Sequence, residues 1–166
     1  MAIDPGQSGG IAFLQYDLKQ SLTLFPMPML DKKRISVIEL SEKLNVTDYV
    51  FIEKGQPGNY KGAMIKHQNH GRLYGVLELM NIDYTDVHSR TWKKILKMPD
   101  LSGMTTYQRE KVNKQTAIEF AQTVTKIPLL NPKSKRSRKL HDGIADAVCI
   151  LTWGMMEKYD IDIRMG

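Results

Sequence analysis

The stretch Ala2-Ile3-Asp4-Pro5-Gly6-Gln7-Ser8-Gly9-Gly10-Ile11 decides how this chain is expected to fold. A short apolar run that ends at Asp4 predicts a buried strand with an acidic side chain at its end. The proline and glycines that follow predict a tight turn. Residues 11–16 then have the pattern of a second buried strand, and residues 22–27 that of its hairpin partner. The chain therefore begins with adjacent strands, and Asp4 stands at the first turn between them.

The rest of the chain alternates helices and strands. Apolar residues at helical spacing predict helices over residues 34–44, 63–80, 91–97, 107–124 and 141–158. Runs rich in β-forming residues predict strands over residues 49–53 and 82–87. This order predicts an α/β fold with helices on both faces of one sheet. A chain of 166 residues has room for one sizeable core, so we expect a single domain over residues 1–166.

The chain is basic, with a formal net charge of +6 and an isoelectric point of about 9.3, which favours a polyanionic partner. One segment, residues 133–139, concentrates this charge and is called the basic segment below. It either contacts phosphates or forms a solvated loop. The single cysteine, Cys149, excludes a disulfide framework. No apolar run is long enough to span a bilayer and the first residues do not resemble a signal peptide, so we expect a cytoplasmic protein.

Four carboxylates occupy positions that an ordinary core does not need. Asp4 and Glu53 end predicted strands, and Asp142 and Asp146 lie four residues apart on a largely apolar helix. That spacing places the last two about 5–6 Å apart on one helix face. Asp142 alone is explained by the helix dipole, and any one of the acids has a structural explanation. Together they are best explained by a divalent cation that several carboxylates bind.

The chemistry that such a group of acids predicts is phosphodiester hydrolysis. Two Mg²⁺ ions about 3.5–4 Å apart activate a water molecule and stabilise charge on both sides of the phosphate. Mg²⁺ needs hard oxygen ligands and retains several waters, so four carboxylates are sufficient. The sequence has no Cys or His cluster with zinc spacing.

The sequence resembles a known family, the RuvC-type resolvases of four-way DNA junctions. Ile3-Asp4-Pro5-Gly6-Gln7-Ser8-Gly9-Gly10 is similar to the first motif of that family, and Val50-Phe51-Ile52-Glu53 to the second. His141-Asp142-Gly143-Ile144-Ala145-Asp146-Ala147 resembles the third, in the form that phage and plant-organelle variants use. Val87-His88-Ser89-Arg90-Thr91-Trp92-Lys93-Lys94 resembles the family's passage from a strand to the helix that precedes its lysine-containing helix. The lead-in to Asp4 is shorter than usual, so the first strand is either short or incomplete.

The resemblance implies a ribonuclease H-like fold, with a mixed five-stranded sheet flanked by helices on both faces. It implies catalysis by Asp4, Glu53, Asp142 and Asp146 with two Mg²⁺ ions, for which Mn²⁺ would substitute. It also implies a homodimer, because two opposed strands must be nicked symmetrically. The implied partner is branched DNA in the cytoplasm of a bacterium or a phage-infected cell, with no membrane and no small-molecule cofactor. The family's assisting lysine corresponds to Lys114 or to Lys111.

Several further residues are candidate DNA contacts, and each has a plainer alternative. The candidates are Tyr60, Lys61, Lys93, Lys94, Lys111, Lys133, Lys135, Arg136, Arg138 and Lys139. Tyr60 lies in a loop after Glu53 that either inserts at a junction centre, where its ring stacks on a base, or forms a plain turn. His141 either binds metal or phosphate, or caps the helix that follows it. Gly71 and Gly75 predict close packing of helix 63–80, either against a second subunit or against the chain's own sheet.

Four candidate functions differ in how well they explain these features of the sequence. A structure-selective DNA endonuclease explains the acids, the charge and the motif order. A ribonuclease that cuts RNA–DNA hybrids, or a nuclease for other branched DNA, would use the same metal site. An actin-like phosphotransferase also opens with an acidic turn, but it needs two such domains and 166 residues are too few. A silent DNA-binding module would be favoured by the loss of an acid, and none is lost.

Overall fold

One mixed sheet organises the computed structural model, which describes residues 1–15, 21–55, 63–126 and 141–165. Its strands are β1 (Ala2–Asp4), β2 (Gly10–Gln15), β3 (Ser21–Pro26), β4 (Tyr49–Glu53) and β5 (Asp83–Val87). The strand order is β3-β2-β1-β4-β5. The pairs β1–β2 and β2–β3 are antiparallel, whereas β1–β4 and β4–β5 are parallel. The mixed five-stranded sheet expected from the sequence is thus confirmed.

The helices are α1 (Val37–Leu44), α2 (Ala63–Leu79), α3 (Ser89–Trp92), α4 (Thr106–Thr125) and α5 (Asp142–Tyr159). The helix predicted from residue 34 begins later because Ser36 caps it, with the Ser36 hydroxyl accepting from the Glu39 N–H. The basic helix predicted over 91–97 is instead α3 followed by a 3-10 turn at Lys93–Ile95. Within the described residues, no helix has the length and apolarity needed to cross a membrane.

The two faces of the sheet carry separate halves of the core, because side chains alternate along each strand. Ile3, Val50 and Ile52 belong to a cluster that includes residues of α1 and α2. Ala2 and Phe51 belong to a second cluster, with residues of α4 and α5. Helices therefore cover both faces, as predicted. The arrangement leaves the carboxyl ends of β1 and β4 side by side at one edge of the sheet.

Helix α5 is the most deeply buried helix and it lies against the centre of the sheet, in contact with β1, β2 and β4. Gly154 permits part of this approach, because a Cβ atom there would be 2.5 Å from the ring of Phe51. A helix packed this closely has little freedom to rotate or slide. The side chains in its first turns are therefore held in fixed positions relative to the strand ends.

Candidate active site

Asp4 and Glu53 reach the same edge of the sheet because their strands are parallel neighbours. Ala2 pairs with Phe51 and Ile3 with Ile52 in register, so Asp4 and Glu53 follow at equivalent positions. Asp4 is held by its own turn, since the Gly6 N–H donates to Asp4 Oδ1 at 3.1 Å. The apolar strands thus end in two carboxylates at one place.

The glycine turn after β1 brings the start of α5 to these strand ends. Gly9 and Gly143 form a parallel bridge between the turn and the helix. A Cβ atom at Gly9 would lie 2.0 Å from the Asp4 carbonyl oxygen, and one at Gly143 would lie 2.0 Å from the Ser8 carbonyl oxygen. Only glycine permits this approach without moving the backbone. The glycines that the sequence places in both motifs therefore join the two halves of the site.

Two adjoining cavities at this edge share the acidic residues. One, of about 280 Å³, is lined by Asp4, Glu53 and Asp146. The other, of about 380 Å³, is lined by the same three residues and by Asp142. The four acids selected from the sequence, which come from three distant parts of the chain, therefore border one continuous region. Cationic side chains also line the cavities, namely Lys54, Lys66, Lys93 and Lys114.

Three of the acids are in an environment that opposes their negative charge. Burial, and then the charges of Glu53 and Asp146, raise the pKa of Asp4 well above its ordinary value. Burial and the Glu53 charge raise the pKa of Asp146 to about 7. Burial also raises the pKa of Glu53, although the positive charge of Lys93 acts in the opposite direction. Like-charged groups gathered away from water are typical of functional sites.

Asp142 differs from the other three because it has a cationic partner. Its Oδ2 atom is 2.8 Å from Lys114 Nζ, and its Oδ1 atom accepts from the Gly143 N–H at 3.2 Å. Burial favours the neutral form, but the hydrogen bond and charge of Lys114 outweigh it and lower the pKa of Asp142. Of the two lysines left open by the sequence, Lys114 is thus the one at the site. Lys111, on the same helix, is exposed and does not line either cavity.

The donor set fits a divalent cation by its chemistry. Carboxylate oxygens are hard ligands, and positive charge among them would favour the charged forms that burial disfavours. Across residues 1–15, 21–55, 63–126 and 141–165, no group of three or more His, Cys, Asp or Glu side chains is already in metal-binding geometry. The metal site therefore remains a prediction, based on position and donor chemistry.

The sequence did not identify three residues that the structure places beside the acids. Trp92 donates from its indole to Glu53 Oε1 at 3.3 Å, and His70 contacts the Glu53 carbonyl oxygen at 3.0 Å. Lys66 lines both cavities. Lys66 and His70 are four apart on α2, so they share a helix face and were detectable in principle. Trp92 belongs to the buried core, and its indole nevertheless reaches the site.

The structure places the other candidate residues at different distances from the acidic edge of the sheet, or does not describe them. His141 caps α5, because its Nδ1 atom accepts from the Ile144 N–H at 3.1 Å. Lys93 lines the smaller cavity, whereas Lys94 is exposed and lines neither. At Gly71 and Gly75 an added Cβ would meet no atom of the described residues within 4 Å, so packing against the chain's own sheet does not explain these glycines. The remaining candidates lie outside the described residues: Tyr60, Lys61, Lys133, Lys135, Arg136, Arg138 and Lys139.

Comparison with known proteins defines the fold class. No protein-family model matches the sequence, and no curated protein matches it. A solved structure of RuvC from Thermus thermophilus in complex with a Holliday junction substrate is similar over 94% of both chains, with a TM-score of 0.57 and 10% identity. A second Thermus thermophilus RuvC structure is similar over 93% of both chains, with a TM-score of 0.48 and 9% identity. The first comparison shows that this chain has the ribonuclease H-like fold of RuvC.

Proposed function

We propose that this protein is a metal-dependent endonuclease that resolves four-way DNA junctions. The observation that carries the proposal is the convergence of Asp4, Glu53, Asp142 and Asp146 at one edge of a RuvC-type sheet. Lysines in the same cavities and a net charge of +6 suit a polyanionic substrate. The similar Thermus structure is a complex with a Holliday junction, which supports branched DNA as the substrate here.

The four acids and the neighbouring lysines would have different roles in the site. Asp4, Glu53, Asp142 and Asp146 would hold two Mg²⁺ ions, or Mn²⁺ in their place. Bound divalent ions supply an activated water and stabilise charge on the phosphate. Lys114 holds the Asp142 carboxylate in place and balances its charge, because its ammonium group lies 2.8 Å from the carboxylate. Lys66 and Lys93 provide positive charge for the non-bridging phosphate oxygens from the wall of the smaller cavity.

Productive resolution needs two symmetric cuts, so we propose a two-fold homodimer. The outer side of α2 is our candidate interface, because Gly71 and Gly75 are exposed and none of the residues that the structure describes fills the space beside them. A neighbouring backbone could approach closely there. Each subunit would be one nuclease domain over residues 1–166, acting in the cytoplasm of a bacterium or a phage-infected cell without a small-molecule cofactor.

Contacts to the DNA arms would surround the acidic edge. We assign them to the candidate DNA contacts that the sequence provides. The proposed contacts are Tyr60, Lys61, Lys93, Lys94, Lys111, Lys133, Lys135, Arg136, Arg138 and Lys139. Such contacts to phosphates position the substrate without reading its sequence. Structure selectivity would then come from the geometry of the dimer.

The test is cleavage of labelled four-way junction, flap, RNA–DNA hybrid and linear duplex, with Mg²⁺ and with EDTA. We expect paired, symmetric nicks in the junction, dependent on the metal. Asp146→Asn should abolish cleavage and leave junction binding intact, because it removes one ligand and one negative charge. Asp83→Asn is the matched control, since Asp83 is an exposed acid on β5.

Two results would change the proposal. Equal cutting of hybrid and junction would favour the alternative, a ribonuclease H-like nuclease for hybrids or other branched DNA. Full activity of the Asp146→Asn variant, or cleavage in EDTA, would reject the metal-dependent mechanism.

A further inference from the structure

Glu53 is held from two sides by buried side chains that come from different helices. Its carboxylate Oε1 accepts from the indole Nε1 of Trp92 at 3.3 Å. Its backbone carbonyl oxygen is 3.0 Å from Nε2 of His70. Trp92 is fully buried and His70 is 9% exposed. Packing fixes both rings, so they constrain Glu53 more than mobile surface side chains would.

Trp92 controls the rotation of the carboxylate. It is the last residue of α3, which begins two residues after β5 ends, and β5 pairs with β4 up to Glu53 itself. The indole N–H is a donor only, and a buried tryptophan needs an acceptor for it. Here the acceptor is a carboxylate that lines both cavities. The hydrogen bond engages Oε1 and thereby sets the direction of the other oxygen.

His70 controls the backbone from which that carboxylate projects. Its second ring nitrogen, Nδ1, is 2.9 Å from the carbonyl oxygen of Lys66, so the ring bridges α2 and the end of β4. The chain leaves Glu53 directly over this ring, because a Cβ atom at Gly55 would be 3.2 Å from His70 Cε1. The same bridge holds the helical turn that carries Lys66 beside the cavity.

We propose that Trp92 and His70 are positioning residues for Glu53. The indole fixes the orientation of the carboxylate, and the imidazole fixes the strand end that carries it. This inference rests on the proposed function, since a fixed Glu53 matters because it must meet a divalent cation at one place. Partners that orient a metal ligand in this way typically change metal affinity or activity by about 10–100-fold when they are removed.

The first test uses the metal-free protein and is independent of nuclease activity. In ¹H–¹⁵N spectra recorded in EDTA, the indole protons of Trp92 and Trp153 are assigned with the Trp92→Phe and Trp153→Phe variants. Glu53→Ala should shift the Trp92 indole proton upfield and speed its exchange with solvent, while the Trp153 signal stays in place. An unchanged Trp92 signal would overturn the proposed orientation of the carboxylate.

The second test compares the two tryptophans directly. Both lie on the same face of the sheet, but Trp92 is fully buried, whereas Trp153 is partly buried and packs on the ring of Phe51, with the ring centroids 6.2 Å apart. Trp92→Phe should weaken Mn²⁺ binding in titration calorimetry by about 10-fold or more and lower kcat on junctions comparably, with KM for DNA little changed. Trp153→Phe should change each quantity by less than about 3-fold.

His70 is tested with two variants and an exposed control on the same helix. Glutamine can donate a hydrogen bond to the Glu53 carbonyl oxygen in place of the imidazole, and phenylalanine cannot, so His70→Phe should lose more Mn²⁺ affinity than His70→Gln. His67→Phe should behave as wild type, because His67 is exposed. Thermal unfolding verifies that each variant is folded.

The outcomes separate the positioning role from the proposed function. If the wild type neither binds Mn²⁺ nor cuts DNA, the proposed function fails, and the spectra of the metal-free protein still decide the orientation of Glu53. Equal losses in the two tryptophan variants would overturn the positioning role, because core packing would then explain both. A folded Trp92→Phe variant with wild-type affinity and rate would overturn it as well.

Discussion

Replacing Asp146 with asparagine should stabilise the metal-free protein at pH 8. The pKa of Asp146 is raised to about 7, chiefly by burial and next by the charge of Glu53. At pH 8 the folded protein therefore holds a carboxylate in its charged form at a cost that the unfolded chain does not have. A rise from the ordinary 3.8 to about 7 corresponds to about 4 kcal/mol, at about 1.4 kcal/mol per pKa unit. Asparagine has nearly the same shape and carries no charge.

The expected gain in the free energy of unfolding is smaller than this upper limit. Water in the open cavity and movement of the neighbouring carboxylates screen part of the cost of holding Asp146 in its charged form. We expect Asp146→Asn to raise the free energy of unfolding at pH 8 by about 2 kcal/mol, or Tm by about 4–8 °C. The sign follows from proton linkage, since the folded state binds this proton more tightly than the unfolded chain. The energetic cost of the charged Asp146 carboxylate is fully present above about pH 7 and declines as pH falls toward 3.8. The gain should therefore shrink at pH 5.

Urea unfolding in EDTA at pH 8 and at pH 5 measures this effect. The exposed control Asp83→Asn should stay within about 0.5 kcal/mol of wild type at both pH values. Equal stability of Asp146→Asn and wild type at pH 8 would refute the reasoning. A gain of the same size at pH 5 would refute it too, because the benefit would then not come from charge.

Three further predictions concern the lysine at the site, the basic segment and the assembly. Lys114→Gln should lower single-turnover cleavage by about 10-fold or more while binding changes little, because Asp142 loses the ammonium group that holds its Oδ2 atom; an unchanged rate would remove Lys114 from the mechanism. Neutralising Lys135, Arg136 and Arg138 should weaken junction binding and reduce the log–log salt slope by about 0.9 per lost phosphate contact, as titrations at several salt concentrations would show; an unchanged slope would mean a solvated loop. Gly71→Arg should dissociate the dimer in analytical ultracentrifugation without lowering Tm, since no atom in the described ranges lies within 4 Å of a Cβ there; a dimer that survives the change would place the interface elsewhere.

The sequence was sufficient for the features that depend on neighbouring residues. The apolar run before Asp4 and the one before Glu53 predict strands that end in acids, and the glycines after Asp4 predict the turn. Each of these signals lies within a few residues, where periodicity and turn chemistry act. The order of strands and helices then predicts one sheet with helices on both faces, and the family resemblance implies that this sheet is mixed and five-stranded. The fold and the choice of the four carboxylates were therefore available before any coordinates.

Only the tertiary structure decided how those acids differ from one another. Asp142 is charged beside Lys114, 28 residues away in sequence, while burial and like charge act on Asp4 and Asp146. The indole that orients Glu53 lies 39 residues further along the chain. Pairing, desolvation and orientation depend on distances between side chains that packing alone sets, and local sequence patterns carry no information on those distances. For this reason the sequence could propose the acids as one group, whereas their individual charge states and partners required the fold.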